Sequence, residues 1–410
     1  MINIKDNFET FNKDILDSIK PYFDYIDNNL LYNFKKIFNA FSSLNVSSTS
    51  LNSGYGYGIS DDGIKTIEAV YEKIFNAEKA IVRPQLVSGT ETLFKILTSL
   101  LEKGDLLLSI TGEPYETLKG CIGINHNYFG NLINRGIRYS EISLIDKNDI
   151  VDYESDLIME AKLLWIQKSC GYSKRRTISN LEIGKIVELV RKINDNAIIA
   201  VDNCYGEFVE KTEPIIHGVD LCAGSLLKNP GGGIARTGGY IAGKNNLIEK
   251  ISSAVVAPGL GFETTPNIGF SREILQGLIN APKAVSESLK GNIYMSFFFD
   301  KLGYLVTPKY FDEHYDVVLK IELEKKEIFE CFINCIQSSS PIDSFYKPEP
   351  INQKGYISPI VMAGGTFTPG SSIEFSADGF YRFPYTIFYQ AGLYFEQSIL
   401  LAEKFFNFYI

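Results

Sequence analysis

The stretch that decides the fold is residues 197–243, AIIAVDNCYGEFVEKTEPIIHGVDLCAGSLLKNPGGGIARTGGYIAG. An apolar run, Ala197–Val201, stops at Asp202. A second run, Val219–Ala223, stops just before Ser225. Both runs are short, rich in apolar residues and bounded by turn residues, which predicts two buried parallel strands. Because ligands of open α/β sheets bind beyond the carboxyl ends of the strands, we expect a binding site there.

A lysine completes this predicted site. Lys228 lies three residues after Ser225 and is followed by a glycine-rich turn. A buried acid, a hydroxyl and a lysine at neighbouring strand ends match the needs of pyridoxal phosphate (PLP). The lysine forms a Schiff base with the aldehyde, the acid pairs with the pyridinium nitrogen, and the hydroxyl with nearby amides holds the phosphate. Asp202 alone would be a turn carboxylate and Lys228 alone a solvated loop lysine, but their combination favours the cofactor site.

The same segments carry a family resemblance. VDNCYGEF at 201–208 and GSLLKNPGGGIARTGGYIAG at 224–243 resemble the methionine gamma-lyase-like family, also called the aluminium-resistance protein family. This is a branch of the fold type I PLP enzymes related to the cystathionine lyases. The resemblance extends from about Phe41 over nearly the whole remaining chain. It implies an aspartate-aminotransferase-like α/β fold, PLP on Lys228, and a homo-oligomer, either a dimer or a tetramer, with active sites at the subunit interface.

The turn Ser88-Gly89-Thr90 opens a helix directly after a predicted strand. Ser88 with Glu91 fits a capping box, so a well-capped helix without any ligand is one interpretation. The free amides of a helix N-terminus also bind phosphate. The resemblance assigns this second role to the turn, through the amides of Gly89 and Thr90, and the two interpretations are compatible.

Tyr115 follows another predicted strand, Leu106–Ile110, and Pro114 suits the start of a helix. We therefore expect Tyr115 over the same crevice at the strand ends. The resemblance implies that it stacks on the pyridine ring, and a phenol at this place can assist the departure of sulfur as a general acid. An interior tyrosine without a ligand is the alternative, since the chain holds 24 tyrosines.

The segment 47–62, SSTSLNSGYGYGISDD, is too polar and too rich in glycine for a regular element. It holds Tyr55 and Tyr57. The resemblance implies that a tyrosine from this region reaches the phosphate of the neighbouring subunit's cofactor, and that Tyr57 also contacts the substrate. The arginine that related lyases usually supply here is absent.

Arg382 is the predicted substrate-binding residue in the C-terminal part. A planar guanidinium binds a carboxylate in a bidentate manner, as recognition of an amino acid requires. A surface ion pair is the alternative. The resemblance favours the substrate, although FYRFP departs from the more usual acidic residue after this arginine.

The order of predicted elements sets the architecture. Strands that alternate with helices predict a seven-stranded, mostly parallel, doubly wound sheet. The pattern changes after about residue 300, which predicts a smaller α+β domain. We predict a helical arm with an inter-subunit loop at 1–60, a large PLP-binding domain at 61–300 and a small domain at 301–410. The predicted strands are Ile81–Val87, Leu106–Ile110, Ile137–Ile142, Leu163–Gln167, Ala197–Val201, Val219–Ala223 and Gly239–Ala242.

Two further expectations concern helices. Residues 8–42 are expected to be helical, with Pro21 in a first turn and a mostly aromatic stripe from Phe23 to Phe41. That stripe packs either on its own subunit or, as the resemblance implies, on a neighbour. The segment Tyr385–Ile410 is expected to be a helix.

Composition narrows the class of protein. A net charge of −9 over 410 residues and a pI of about 5.1 argue against binding to nucleic acid or anionic membranes. No apolar run is long enough to span a membrane, and the N-terminus does not resemble a signal peptide. Six cysteines without a secretory signal indicate a reducing, cytoplasmic setting. Without histidine at ligand spacing, Cys331 and Cys335 do not predict a metal site.

The resemblance implies a carbon–sulfur lyase. It would act on a sulfur-containing amino acid by β- or γ-elimination, giving a 2-oxo acid, ammonia and a thiol. A PLP-dependent aminotransferase or another amino-acid lyase is the enzymatic alternative, because a fold does not fix a reaction. A non-catalytic PLP-binding stress protein is the alternative from another class.

Overall fold

The computed structural model describes residues 7–52, 54, 56–57, 61–124, 128–173, 175–260, 266–353, 356 and 358–409. The helices are α1 (Phe8–Ser43), α2 (Asp62–Phe75), α3 (Gly89–Leu100), α4 (Glu116–Ile122), α5 (Asp152–Glu160), α6 (Asn180–Arg191), α7 (Asn245–Val255), α8 (Ser271–Lys301), α9 (Lys326–Ser338) and α10 (Phe395–Tyr409). The strands are β1 (Lys79–Arg83), β2 (Leu106–Ser109), β3 (Arg138–Glu141), β4 (Leu163–Gln167), β5 (Ile198–Asp202), β6 (Leu221–Ser225), β7 (Gly239–Gly243), β8 (Leu305–Thr307), β9 (Leu319–Leu323), β10 (Ile360–Ala363), β11 (Ser376–Phe380) and β12 (Tyr385–Gln390).

The first seven strands form one sheet in the order β1-β7-β6-β5-β4-β2-β3. Strands β3, β2, β4, β5 and β6 run parallel, whereas β7 is antiparallel to both of its neighbours. The predicted seven-stranded, mostly parallel sheet is therefore confirmed. Strands β5 and β6 are adjacent and paired with Asp202 opposite Ala223, so their carboxyl ends lie side by side. Strand β1 ends at Arg83, four residues earlier than expected.

The second sheet is antiparallel and has the order β10-β11-β12-β9-β8. The expectation that Tyr385–Ile410 is one helix is wrong, because residues 385–390 form the central strand β12 and the helix begins only at Phe395. Strand β12 is buried on both faces, and its sequence YTIFYQ therefore lacks the alternation that marks a half-exposed strand. The domain boundaries at 60 and 300 stay predictions.

Helix α1 is a single helix of 36 residues. The expectation of Pro21 in a first turn is wrong, because Pro21 lies inside this helix. A proline there removes the hydrogen bond to the carbonyl of residue 17. Both Asp17 and Pro21 lie on the exposed face, where water can satisfy that carbonyl, while Ile15 and Ile19 are fully buried. Burial of the apolar face on both sides of the proline holds the helix together.

One part of α1 packs against other helices, and another part is exposed to solvent. The ring of Phe11 packs against Phe298 of α8 and Phe406 of α10, with centroids 5.7 and 5.5 Å away. Part of the predicted aromatic stripe remains open, since Phe34 is 41% and Phe38 is 56% exposed. The stripe therefore packs only partly on its own subunit. None of the helices within the described ranges is long and apolar enough to cross a membrane.

Candidate active site

A cavity of about 140 Å³ lies at the carboxyl end of β5 and is also lined by Lys228, which follows β6. Asp202 is the last residue of β5, Ser225 is the last residue of β6, and Lys228 follows three positions later. The cavity is lined by Asp202, Lys228 and Tyr115, which the sequence predicted to meet, and also by Tyr172 and Tyr205. The topology explains this meeting, because the central position of β5 and β6 directs their ends into one crevice.

Asp202 is a buried carboxylate that faces the cavity. Its Oδ1 atom accepts a hydrogen bond from the backbone amide of Cys204 at 3.1 Å. Burial raises the pKa of Asp202, and the nearby charge of Lys228 works in the opposite direction. A cation in the cavity therefore favours the ionised form, which is the form that can hold a proton on a ring nitrogen.

Lys228 lies over the face of an aromatic ring that the sequence reasoning missed. Its Nζ atom is 3.8 Å from the centroid of the Tyr205 ring, a cation–π contact. Burial would lower the pKa of Lys228, but the acidic groups around it, those of Cys204, Tyr205 and Asp202, raise it overall. Tyr205 has a positive φ of 73°, which turns the chain sharply after β5. The available signal was an aromatic residue three positions after the acid.

The N-terminus of α3 lies against the end of β6. Ser88 caps the helix, since its Oγ accepts from the amide of Glu91 at 3.2 Å. The capping box is only half formed, because the Glu91 carboxylate turns to Lys95 instead. A Cβ on Gly89 would stand 3.4 Å from the Cβ of Ser225, so the two backbones are in close approach.

This arrangement leaves donors for an anion. The amides of Gly89 and Thr90 precede the first intrahelical bond, which runs from the Thr92 amide to the Ser88 carbonyl. Neither amide has an acceptor in the part of the chain that the structure describes. Two free amides at a helix N-terminus beside a serine form a cup suited to a phosphate group.

Tyr115 connects this cup to the cavity. It caps α4, and its phenol donates to Thr90 Oγ1 at 3.0 Å. Its backbone amide donates to Gln167 Oε1 at 2.8 Å. Burial, together with the charge of Asp202, raises the pKa of the phenol. The phenol is therefore a protonated donor next to the phosphate cup.

Arg382 does not line the Lys228 cavity. It lines an adjoining cleft of about 710 Å³, which shares the walls Tyr115 and Tyr172 with that cavity. Its guanidinium lies 5.1 Å from the ring of Phe380, and it has no ion pair among the described residues. The structure thus places Arg382 beside the cavity, as an exposed cation at the cleft.

Of the two tyrosines predicted to reach a neighbouring subunit, Tyr55 lies outside the described residues. Tyr57 is 70% exposed and does not line the Lys228 cavity of its own chain. Its predicted contacts with a partner subunit's cofactor and with the substrate stay predictions.

The basic run after β4 has a structural use. Arg175 donates to the carbonyls of Gln167 and Ser169, each at 2.6 Å, and so shapes the turn that enters the cavity. Arg176 pairs with Asp146 and Glu182. No pattern in the local sequence indicates that Arg175 folds back on the backbone.

The sequence of this chain is similar to those of known proteins over most of its length. The model of the methionine gamma-lyase family matches residues 8–407. The chain belongs to the methionine gamma-lyase family. It is 40% identical to the uncharacterized protein YnbB of Bacillus subtilis (strain 168) over 362 residues, which are 87% of this chain and 86% of that protein.

Solved structures of similar proteins cover almost the whole chain. A carbon–sulfur lyase involved in aluminum resistance from Clostridium novyi NT has a TM-score of 0.91 and 37% identity, with 98% of this chain and 96% of that chain covered. A protein of Listeria monocytogenes, described as a candidate cystathionine beta-lyase involved in aluminum resistance, has a TM-score of 0.93 and 34% identity, with 97% and 99% covered. These findings confirm the predicted family and the predicted fold class.

Proposed function

We propose that the protein is a PLP-dependent carbon–sulfur lyase that acts on a sulfur-containing amino acid. The observation that carries the proposal is the meeting of Lys228 and Asp202 in one cavity beside the free amides of the α3 N-terminus. These residues fit PLP, because a lysine, a buried acid and a phosphate cup are the three groups that this cofactor requires. Membership of the methionine gamma-lyase family supports the same cofactor.

PLP supplies an aldehyde that a lysine amine can hold and a ring that accepts the electrons left at Cα of an amino acid. Lys228 would hold the cofactor and then, as a free amine, take the proton from Cα. The face of Tyr205 would stabilise the resulting ammonium. Asp202 would hold a proton on the pyridine nitrogen, which is the task of a buried carboxylate at this position.

The phosphate would lie at the N-terminus of α3, on the amides of Gly89 and Thr90 and near Ser88 and Ser225. Tyr115 would cover the ring, and because its raised pKa keeps the phenol protonated, the hydroxyl would be available to donate to the departing sulfur. Its bond to Thr90 holds it in reach of the cup.

The adjoining cleft supports a substrate with a long, polar leaving group. The amine of Lys119, buried in this cleft, pairs with Glu113 at 3.0 Å and Glu116 at 2.9 Å, while Arg382 keeps its charge open. We assign to Arg382 a carboxylate of the substrate. A thioether with a charged distal group would fill this space, whereas a methylthio group would leave it to water.

The assembly proposed is a homo-oligomer, dimer or tetramer, in the cytoplasm, with Tyr57 and Tyr55 of one subunit next to the cofactor of another. The exposed part of the α1 stripe, which includes Phe34 and Phe38, supports an interface on this side of the molecule.

The test is a screen of amino acids for release of thiol and 2-oxo acid by the PLP-loaded protein. A sulfur amino acid should yield both products in equal amounts, and Lys228→Ala should yield neither. Borohydride should fix the cofactor to the peptide that contains residue 228. Accumulation of pyridoxamine phosphate would instead identify an aminotransferase. A yellow protein that turns over no amino acid would identify a cofactor-binding protein without catalysis.

A further inference from the structure

Tyr172 stands at the junction of the two spaces described above. It lines both the cavity of Lys228 and the cleft of Arg382. It belongs to the segment that follows the end of β4 in the large sheet, of which residues 168–173 and 175–177 are described. A substrate group that reaches from Lys228 into the cleft would therefore lie near this side chain, which shares the junction with Tyr115, Glu116 and Gln167.

The phenol of Tyr172 is fixed from the other sheet. Its hydroxyl donates a hydrogen bond to Asp378 of β11. Its ring packs on Phe388 of β12 with a centroid distance of 4.5 Å, and edge-on against Phe380 at 5.5 Å. A hydrogen bond to a carboxylate is stronger and more directional than one between neutral groups, so Asp378 fixes the orientation of the phenol.

A second carboxylate from beyond residue 300, that of Asp316, binds both ends of the segment that follows β4. The buried Asp316, which precedes β9, accepts from Ser169 Oγ at 2.7 Å and from Thr177 Oγ1 at 2.5 Å. Its other oxygen accepts from the amide of Val318 at 3.1 Å, which anchors it next to the second sheet. The loop that forms a wall of the cavity is thus fastened to residues beyond 300 at its start, middle and end.

We propose that Asp378 is a positioning residue that acts through Tyr172 and so determines which leaving groups extend from the Lys228 cavity into the adjoining cleft. The inference rests on the proposed function only for the identity of the substrate. The wall itself is defined by the second sheet, so selectivity for the length of the substrate depends on a residue outside both spaces. Asp378 lines neither of them.

The experiment measures binding of unreactive analogues by the PLP-loaded protein. Two α-methyl amino acids, one with a short thioether and one with a long thioether that bears a charged end, cannot lose an α-proton. Their dissociation constants are read from the change in cofactor absorbance. The variants are Tyr172→Phe, Asp378→Asn, Asp378→Leu and the double variant of Tyr172→Phe with Asp378→Leu. The control is Tyr389→Phe, which removes a buried phenol of the same sheet that bonds Ser398 at 2.9 Å.

Tyr172→Phe and Asp378→Leu should each change the ratio of the two dissociation constants by about tenfold, the effect of losing a hydrogen bond to a charged group. The double variant should show no more than the larger single effect, because both changes break one interaction. Asp378→Asn keeps an acceptor oxygen and should stay within about threefold of the wild-type ratio, as should Tyr389→Phe.

Equal ratios in the wild type and Tyr172→Phe would overturn the proposal. Additive effects in the double variant would do the same, since the two residues would then act separately. If Asp378→Leu does not fold, the comparison of Tyr172→Phe with Asp378→Asn still decides. Absence of lyase turnover with an altered binding ratio would refute the proposed function and leave this inference standing.

Discussion

The buried carboxyl group of Glu207 should make the stability of the folded protein depend on pH. Glu207 is fully buried, and its Oε1 accepts from the phenol of Tyr240 at 2.9 Å. Its Oε2 has no hydrogen-bond partner among the described residues. Gly224, next to Ser225, leaves just enough room, since a Cβ there would stand 2.2 Å from Glu207 Oε1. Burial, with the nearby Glu213 adding to it, raises the pKa of Glu207 to about 8.

The direction of the pH dependence follows from the different pKa of Glu207 in the folded and unfolded states. In the unfolded chain the carboxyl ionises near its usual value of 4.5, whereas in the folded protein it keeps its proton until about pH 8. Folding therefore takes up a proton inside this window, and stability falls as the pH rises through it. Each pH unit lowers the free energy of unfolding by about 1.4 kcal/mol, so the loss over the whole window is about 5 kcal/mol at most. Above about pH 8 the loss is complete and the curve flattens.

Glu207→Gln keeps an acceptor for Tyr240 but cannot ionise. The variant should therefore gain stability relative to the wild type as the pH rises from about 5 to about 8, and the gain should then level off. Urea unfolding midpoints at several pH values measure the difference. The control is Glu188→Gln on the exposed face of α6, which removes a carboxylate that water reaches and so measures the effect of the lost charge alone. Parallel curves for Glu207→Gln and the wild type would refute the reasoning, because Glu207 would then be ionised in the folded protein.

Three further predictions concern the site. Asp202→Asn should leave a folded protein that binds PLP at least about tenfold more weakly, as measured by absorbance titration, because a neutral amide cannot hold the ring nitrogen protonated. Wild-type affinity would exclude that role. Arg382→Ala should raise KM about tenfold with little change in kcat in steady-state assays, since a carboxylate contact acts equally in the ground and transition states; an unchanged KM would remove Arg382 from the substrate site. Tyr205→Leu should lower the pKa of Lys228 more than Tyr205→Phe does, because leucine removes both the phenol and the aromatic face, whereas phenylalanine removes only the phenol. The pH dependence of acylation at Lys228 in cofactor-free protein measures this, and equal values in both variants would contradict it.

The sequence predicted the large sheet well because each of its buried strands ends at a residue that breaks the apolar run. The polar residues Asp202 and Ser225 marked the ends of β5 and β6, and the alternation with helices implied that these ends share one edge. Strand direction was harder to predict. An antiparallel strand such as β7, placed between two others, has no signature in its own residues.

The second sheet and the wall of the cavity were less accessible to sequence reasoning. Strand β12 is covered on both faces, so its sequence has neither a period of two nor a clear helical period. The sequence gives no reason to single out Tyr172, because its partner Asp378 lies 206 residues away. Contacts at such a separation leave no trace in local spacing, and a tyrosine is as common in a core as in a site.

The hydrogen bonds that attach α1 to a distant turn affect how the protein can fold during its synthesis on the ribosome. Asn33 of this helix donates to the carbonyl of Phe208 at 3.0 Å, and Asn29 donates to that of Val209 at 3.1 Å, across 175 and 180 residues. These carbonyls belong to the turn that follows Asp202. At roughly 5–20 residues per second, the helix emerges about 10–40 s before its partners have been synthesised. Its apolar side chains stay exposed to solvent during that interval, and the carbonyls of Phe208 and Val209 gain their asparagine donors only when the turn folds onto the helix.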